Sequence, residues 1–220
     1  MIRKSLGYLL KRPFIAKRIV NTLLFLHQKS YHWAGRFSMA LEKDGLHPKH
    51  RLMQYHKWFE QRVQKNWDLL DVGCGVGALS QDLIGSCKSI KAIDIDEKNI
   101  KKAPKNIQGI DFLVGDATKY NFGKTFDAIV MSNVLEHIED RVKCLKDLKK
   151  LTKRFLIRVP MIDREWIVLY KKERGLEYLL DPTHFTEYTM EQFVDETKEA
   201  GLEIVESSVR FGEIYAVLNG

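Results

Sequence analysis

A seven-residue run, DVGCGVG at 71–77, limits most strongly what this 220-residue chain can fold into. An apolar stretch, residues 67–72, leads into it, and a helix-like stretch, residues 78–84, leads out. Strand, glycine turn and helix in that order form the cradle that α/β proteins offer to nucleotide-like ligands. Glycine adopts positive φ without strain and lets a ligand approach the backbone. The helix N-terminus then presents unpaired N–H groups to anything anionic.

Downstream, apolar runs recur at 89–94, 110–114, 126–131 and 154–159. Helical patterns separate most of them. In the clearest, Ile138, Val142, Leu145, Leu148 and Leu151 are spaced by three and four. Such alternation predicts a mainly parallel sheet with helices on both faces. Thr189-Met-Glu-Gln192 reads as a capping box, and Gly201 as the end of the helix it opens. Two closing strands, about 203–209 and 213–218, meet at a tight turn near Gly212 and form an antiparallel hairpin.

The N-terminal part differs in character. Residues 1–41 carry eight Lys and Arg and no Asp or Glu, so the net charge of +7 belongs to this arm. Ile2, Leu6, Leu9 and Leu10 share one helical face, Pro13 interrupts, and Phe14, Ile15, Ile19, Val20, Leu23 and Leu24 give a second. Asp44-Gly45 marks a turn. The arm reads as a lid with a solvated basic face, or as a surface for an anionic membrane or nucleic acid. A further helix is expected over 47–65, with Leu52, Tyr55, His56, Phe59 and Val63 as its stripe. The expected division is a basic amphipathic helical arm at 1–45 and an α/β domain at 46–220. No run approaches a membrane span, and residues 19–26 lack the features of a signal-peptide core. Three cysteines without a CxxC pair predict a reducing, cytoplasmic setting and no metal.

Three more segments fall where a cofactor site needs them. Asp94, in AIDID, ends the second strand and can accept from both hydroxyls of a ribose. Asp96 reads as a helix cap. Asp116-Ala117, in VGDA, ends the third strand, where a carboxylate and an N–H can meet an adenine ring. Ser132-Asn133, in FDAIVMSNVLEH, ends the fourth and faces the crevice beyond the strand ends. Taken alone, each of these is an ordinary strand-ending turn.

In this order DVGCGVG, AIDID, VGDA and FDAIVMSNVLEH resemble the class I S-adenosylmethionine-dependent methyltransferases. The similarity covers about 65–218 and lies with the small-molecule branch that has a ubiquinone/menaquinone-biosynthesis-type cofactor domain. It implies a Rossmann-like, doubly wound, seven-stranded sheet, mainly parallel with an antiparallel last strand, behind an N-terminal helical extension. It also implies S-adenosyl-L-methionine as cofactor. Asp71, Gly73 and Gly75, with Cys74 and Gly77 between and after them, would hold the methionine end. Asp94 with Ile95 would hold the ribose, and Asp116 with Ala117 the adenine. Ser132 and Asn133 would line the methyl-bearing end. NPPY and DPPY, marks of DNA and amide-nitrogen methylation, are absent, and MSNV stands in their place.

Other readings stay open. Gly73-x-Gly75-x-x-Ala78 also satisfies a dinucleotide fingerprint, so a nicotinamide-dependent oxidoreductase is the rival. A non-catalytic cofactor-binding module is another.

His184, in DPTHFTEYT, and His137 are the candidates for a catalytic base, each with a positioning role as the alternative. Tyr55, His56, Arg164 and Tyr188 are the expected acceptor contacts, the arginine suiting a phosphate or carboxylate. The expected acceptor is a small molecule, lipid-linked or a glycan precursor. RNA is the runner-up. Residues 1–25 are expected to touch an anionic membrane at its cytoplasmic face.

Overall fold

The computed structural model describes residues 12–43 and 45–220. The predicted face on Ile2, Leu6, Leu9 and Leu10, and half of the Asp44-Gly45 turn, lie outside these residues. The chain forms two compact units, residues 1–52 with 170–178, and residues 53–169 with 179–220.

In the smaller unit, α1 runs over Pro13–Met39. Pro13 stands at the first position of this helix, where a residue needs no N–H partner. Asn21 Oδ1 accepts two bonds from the Arg174 guanidinium, at 2.7 and 3.0 Å. Gln28 accepts from Lys171. A short helix, α2, covers Lys49–Met53 and buries none of its residues.

The larger unit is built on a seven-stranded sheet, ordered β3-β2-β1-β4-β5-β7-β6. The strands are β1 Asp68–Val72, β2 Ser89–Asp94, β3 Ile110–Val114, β4 Ala128–Ser132, β5 Arg154–Pro160, β6 Glu203–Arg210 and β7 Glu213–Asn219. The first five are parallel, and β7 is antiparallel to both of its neighbours. The hairpin therefore inserts its second strand into the sheet and leaves β6, mostly exposed, at the edge. Phe211 and Gly212 both have positive φ, the geometry of a two-residue turn that matches strand twist.

Side-chain alternation sorts the core into two layers. Leu70, Val72, Ile129, Met131 and Ile157 point to one face. There they meet α6 (Arg141–Leu148) and α8 (Met190–Glu199). Leu69, Ala128, Val130 and Leu156 point to the other, against α3 (Tyr55–Glu60) and α4 (Ala78–Leu83). β4 and β5 are buried almost throughout, as strands covered on both faces must be. Of the remaining helices, α5 (Glu97–Lys102) follows β2 and α7 (Trp166–Glu173) follows β5.

Local signals act at three caps, two of them expected from the sequence, Asp96 and Thr189, and a third at Asp140. Asp96 accepts from the Lys98 N–H and Asp140 from the Lys143 N–H. Thr189 and Gln192 form the reciprocal capping box. The single helix expected over 47–65 is corrected to α2 and α3. Gln54 between them is left-handed (φ 48°), and its turn resets the face so that Tyr55, Trp58 and Phe59 enter the core. The pattern from Ile138 to Leu151 yields a shorter helix, because Asp140 caps it from the third residue on.

Candidate functional site

The ends of β1 and β2 are joined by a dense set of backbone and carboxylate contacts. Gly73, Gly75 and Gly77 all have positive φ, at 67°, 57° and 80°. A side chain at Gly73 would collide with Val134, and one at Gly77 with Phe112. At Gly75 a Cβ would meet nothing within 4 Å, so the turn leaves its backbone open on that side. Gly77 is the N-cap residue of α4.

Asp94 closes this turn. Its Oδ2 accepts the Gly75 N–H at 2.8 Å, and its Oδ1 accepts the Asp96 N–H at 2.8 Å. An ionised carboxylate offers about four acceptor sites; Asn99 Nδ2 also reaches Oδ1, at 3.4 Å, so one site is free and a second is held only by that long contact. Ile95 beside it is exposed. Asp71 lies beneath, 2% exposed, and takes the Ser80 hydroxyl at 2.5 Å. Burial pushes its carboxyl up to about 7, the Ser80 bond opposes this, and the Asp94 charge adds to it. The Cys74 thiol is buried and pushed far up for the same reason, which makes it inert.

Asp116 follows β3, where its Oδ1 accepts from the Thr118 N–H at 2.9 Å and hydroxyl at 2.7 Å. Lys119 pairs with the other oxygen at 2.9 Å. The Lys119 and Thr118 bonds hold this carboxyl below its usual range. The side chain thus organises its own turn, with Ala117 buried next to it. Ser132 ends β4. Asn133 is left-handed (φ 56°), and its Oδ1 accepts from Arg158 Nε at 2.8 Å.

Arg158 organises the neighbouring region. Its guanidinium is 2% exposed, 3.6 Å over the Tyr55 ring and 3.2 Å from Glu213. Tyr55 thus supports Arg158 from below. His56 turns to Asp82 on α4, at 2.5 Å. Glu213 gives little sequence signal, since only the sheet order brings the start of β7 beside β5.

The loop at 181–188 is fastened over the β4 end. Phe185 N–H donates to Glu136 O at 2.8 Å, and Tyr188 N–H to Pro160 O at 2.9 Å. His184 therefore reaches His137, with ring centroids 4.6 Å apart and nearly perpendicular. His184 Nδ1 lies 3.1 Å from Glu187, and His137 Nδ1 lies 2.9 Å from the Thr183 hydroxyl. Burial, with His184 adding to it, lowers the His137 pKa. Glu136 is buried beside them, and among the described residues neither of its carboxyl oxygens has a donor. Burial raises it to about 8. One ligand atom from each of Glu136, His137 and His184 lies within 4.8 Å of the other two, a donor set suited to a divalent cation. The sequence spacing that predicted no metal did not reveal this trio, because the fold makes it.

Two expected acceptor contacts face elsewhere. Arg164 is turned inward, ion-paired with Glu187 and donating to Met161 O at 2.7 Å. Tyr188 is corrected to a core residue, 1% exposed. It packs edge-on to Phe193 and donates to Glu196 Oε2 at 3.0 Å. Its neighbour in sequence, Glu187, is the inward hub that holds both Arg164 and His184.

A family model described as a methyltransferase domain matches residues 70–154. Over 119 residues the chain is 34% identical to a ubiquinone biosynthesis O-methyltransferase of Caulobacter vibrioides, covering 51% of this chain and 47% of that protein. It is 36% identical over 94 residues to the protein of the same name from Pelagibacter ubique, covering 41% and 39%. The chain thus spans less than half the length of these relatives. Among solved structures, the magnesium protoporphyrin IX methyltransferase ChlM of Synechocystis, with bound SAH, superposes with a TM-score of 0.60 at 18% identity, covering 78% of this chain and 82% of that one. The N-methyltransferase NodS of Bradyrhizobium japonicum, also with SAH, gives 0.57 at 19%, covering 76% and 86%. Over residues 70–154 the chain is thus similar to a methyltransferase domain, and its fold is one that solved methyltransferases share.

Proposed function

We propose that this chain is an S-adenosylmethionine-dependent methyltransferase acting on an oxygen, nitrogen or carbon atom of a small-molecule, lipid-linked or glycan-precursor acceptor. The observation that carries the reading is the bond from Gly75 N–H to Asp94, which sets an open glycine backbone beside a carboxylate at the sheet's carboxyl edge. A ribose with two hydroxyls and a zwitterionic amino-acid tail suits that pairing. Asp71, Gly73, Cys74, Gly75 and Gly77 would hold the amino-acid end, and Asp94 with Ile95 the ribose. Asp116 and Ala117 would hold the adenine, and Ser132 and Asn133 would line the end that carries the methyl group. When bound, the cofactor supplies a methyl group already activated on a sulfonium.

The protein's part is then position and water exclusion, which together supply about 7–11 kcal/mol of a barrier in favourable cases. A proton from the acceptor needs a place to go. With Glu187 on its Nδ1 side, His184 keeps its proton there and leaves Nε2 free to accept one. His137 positions His184 through the ring contact. Tyr55 and His56 would lie at the acceptor's edge. The names of the relatives, a ubiquinone-pathway O-methyltransferase and the nodulation protein S, support a small acceptor. In this reading residues 46–220 are the methyltransferase domain. The arm, residues 1–45, contacts an anionic membrane from the cytoplasmic side through residues 1–25. Among the described residues no helix is long and apolar enough to cross a membrane.

Calorimetric titration with S-adenosylmethionine, with NADH in parallel, tests the reading. Micromolar binding of the first alone is expected. Binding of NADH alone would replace it with an oxidoreductase.

A further inference from the structure

We propose that the outward face of α1, from Ile19 to Phe37, is a membrane-docking surface that lays the helix flat on an anionic bilayer. This deepens the peripheral contact included in the reading above and rests on it, but it does not depend on methyl transfer.

The geometry is that of a two-sided helix. At 27 residues α1 is about 40 Å long. Asn21, Leu24 and Gln28 share one side, where Leu24 and Gln28 are buried and Asn21 and Gln28 accept from Arg174 and Lys171. At about 100° per residue, Ile19, Leu23, Leu26, Trp33 and Phe37 fall on the opposite side. All five are exposed, Trp33 at 62% and Phe37 at 74%. Leu23, Leu26, Ser30 and Trp33 line a shallow apolar depression there. An apolar stripe that the contacts among the described residues leave in water marks an interaction surface.

Charge selects the occupant. Arg18, Lys29 and Arg36 are exposed and line one flank of the stripe. Arg18 lies over Phe14 at 4.6 Å and Lys29 over Phe25 at 5.5 Å, so the cations sit at the border of apolar surface. The helix contains no Asp or Glu. A second copy packed on this face would set like charges against each other with no carboxylate to offset them. RNA would satisfy the cations but leave Ile19, Leu23 and Leu26 exposed. An anionic bilayer satisfies both, with acyl chains for the stripe, headgroups for Trp33 and lipid phosphates for the cations. The surface predicted from sequence, residues 1–25, thus extends twelve residues further, to Phe37, on the described helix.

The test is flotation of the whole chain with vesicles of phosphatidylcholine alone and with added phosphatidylglycerol. Binding to the anionic vesicles, weakened by salt, is expected. Arg18→Gln, Lys29→Gln and Arg36→Gln together should reduce it roughly a hundredfold. Leu26→Ser, Trp33→Ser and Phe37→Ser together should reduce it by about tenfold or more. Brominated acyl chains should quench the fluorescence of the unaltered chain, and Trp33→Phe should remove most of that quenching, which needs no disruptive variant. No quenching, binding to a single-stranded RNA instead of vesicles, or a self-association that the serine variants abolish would each overturn the proposal. Vesicle binding is read without cofactor, so its failure leaves the calorimetric result standing, and the reverse holds too.

Discussion

The Asp94 carboxylate accepts the Gly75 N–H at 2.8 Å, so the end of β2 is fastened to the glycine turn that follows β1. The other oxygen takes the Asp96 N–H, so one side chain fixes both turns. Asp94→Ala removes both anchors and any ribose contact together. Hydrogen bonds to a charged group contribute about 1.5–3 kcal/mol each. The variant should bind S-adenosylmethionine at least about tenfold more weakly in calorimetry and melt at a lower temperature. Unchanged affinity would refute the ribose assignment. Asp94→Asn keeps an acceptor for Gly75, so it should recover much of the stability while affinity stays low.

Asp71 links the site to pH. Burial raises its carboxyl from 3.8 to about 7 in the folded chain. The folded state therefore holds a proton that the unfolded state releases. The corresponding stability is fully present below pH 4 and is lost as pH rises toward 7. Asp71→Asn cannot titrate and keeps an oxygen for the Ser80 hydroxyl. Relative to the unaltered chain it should gain about 1.4 kcal/mol per pH unit across that window. Urea unfolding at pH 4, 5.5 and 7 without cofactor measures the difference. A gap that stays constant with pH would mean that Asp71 is not protonated in the folded chain.

The turns proposed to hold the cofactor were legible in the sequence for a physical reason. Glycine turns and strand-ending carboxylates are local features, and Gly73, Gly75, Gly77 and Asp94 each declare themselves within a few residues of chain. The parallel strands were equally plain, because burial on both faces leaves β4 and β5 as unbroken apolar runs. The region proposed for the acceptor depends on tertiary neighbours. Arg158 meets Glu213 only because β7 inserts next to β5, and Glu136 meets His184 only because a loop closes from 48 residues away. Tyr188 looked like a loop aromatic, yet its backbone bridges to Met161 and turns the ring into the core. Gln54 carried no breaker signal at all, since glutamine is a good helix former and only the packing of Tyr55 and Trp58 requires the left-handed turn.

Tyr188 separates packing from recognition. Its hydroxyl donates to Glu196, which also holds Arg141 through paired bonds at 2.9 and 2.6 Å. Tyr188→Phe keeps the ring against Phe193 and deletes this donor. The expected loss is about 1–3 kcal/mol of stability, read by urea unfolding, with KM for the acceptor unchanged. A raised KM at unchanged stability would return Tyr188 to the acceptor pocket.

His184 and Glu187 give the sharpest division between chemistry and structure. If His184 Nε2 takes the acceptor's proton, His184→Ala should lower turnover by about a hundredfold, the usual scale of a general base. It should leave S-adenosylmethionine affinity nearly intact, since no cofactor contact is assigned to it. Glu187→Gln leaves the imidazole in place but replaces the carboxylate that holds both His184 Nδ1 and the Arg164 guanidinium. That variant should lose stability as well as turnover, because Arg164 is left half-buried without its counter-charge. Turnover should fall less than in His184→Ala, since the ring keeps a neutral acceptor on its Nδ1 side. If His184→Ala instead lost cofactor affinity and turnover in equal measure, the histidine would be holding the loop at 181–188 in place, and the base would have to be sought elsewhere.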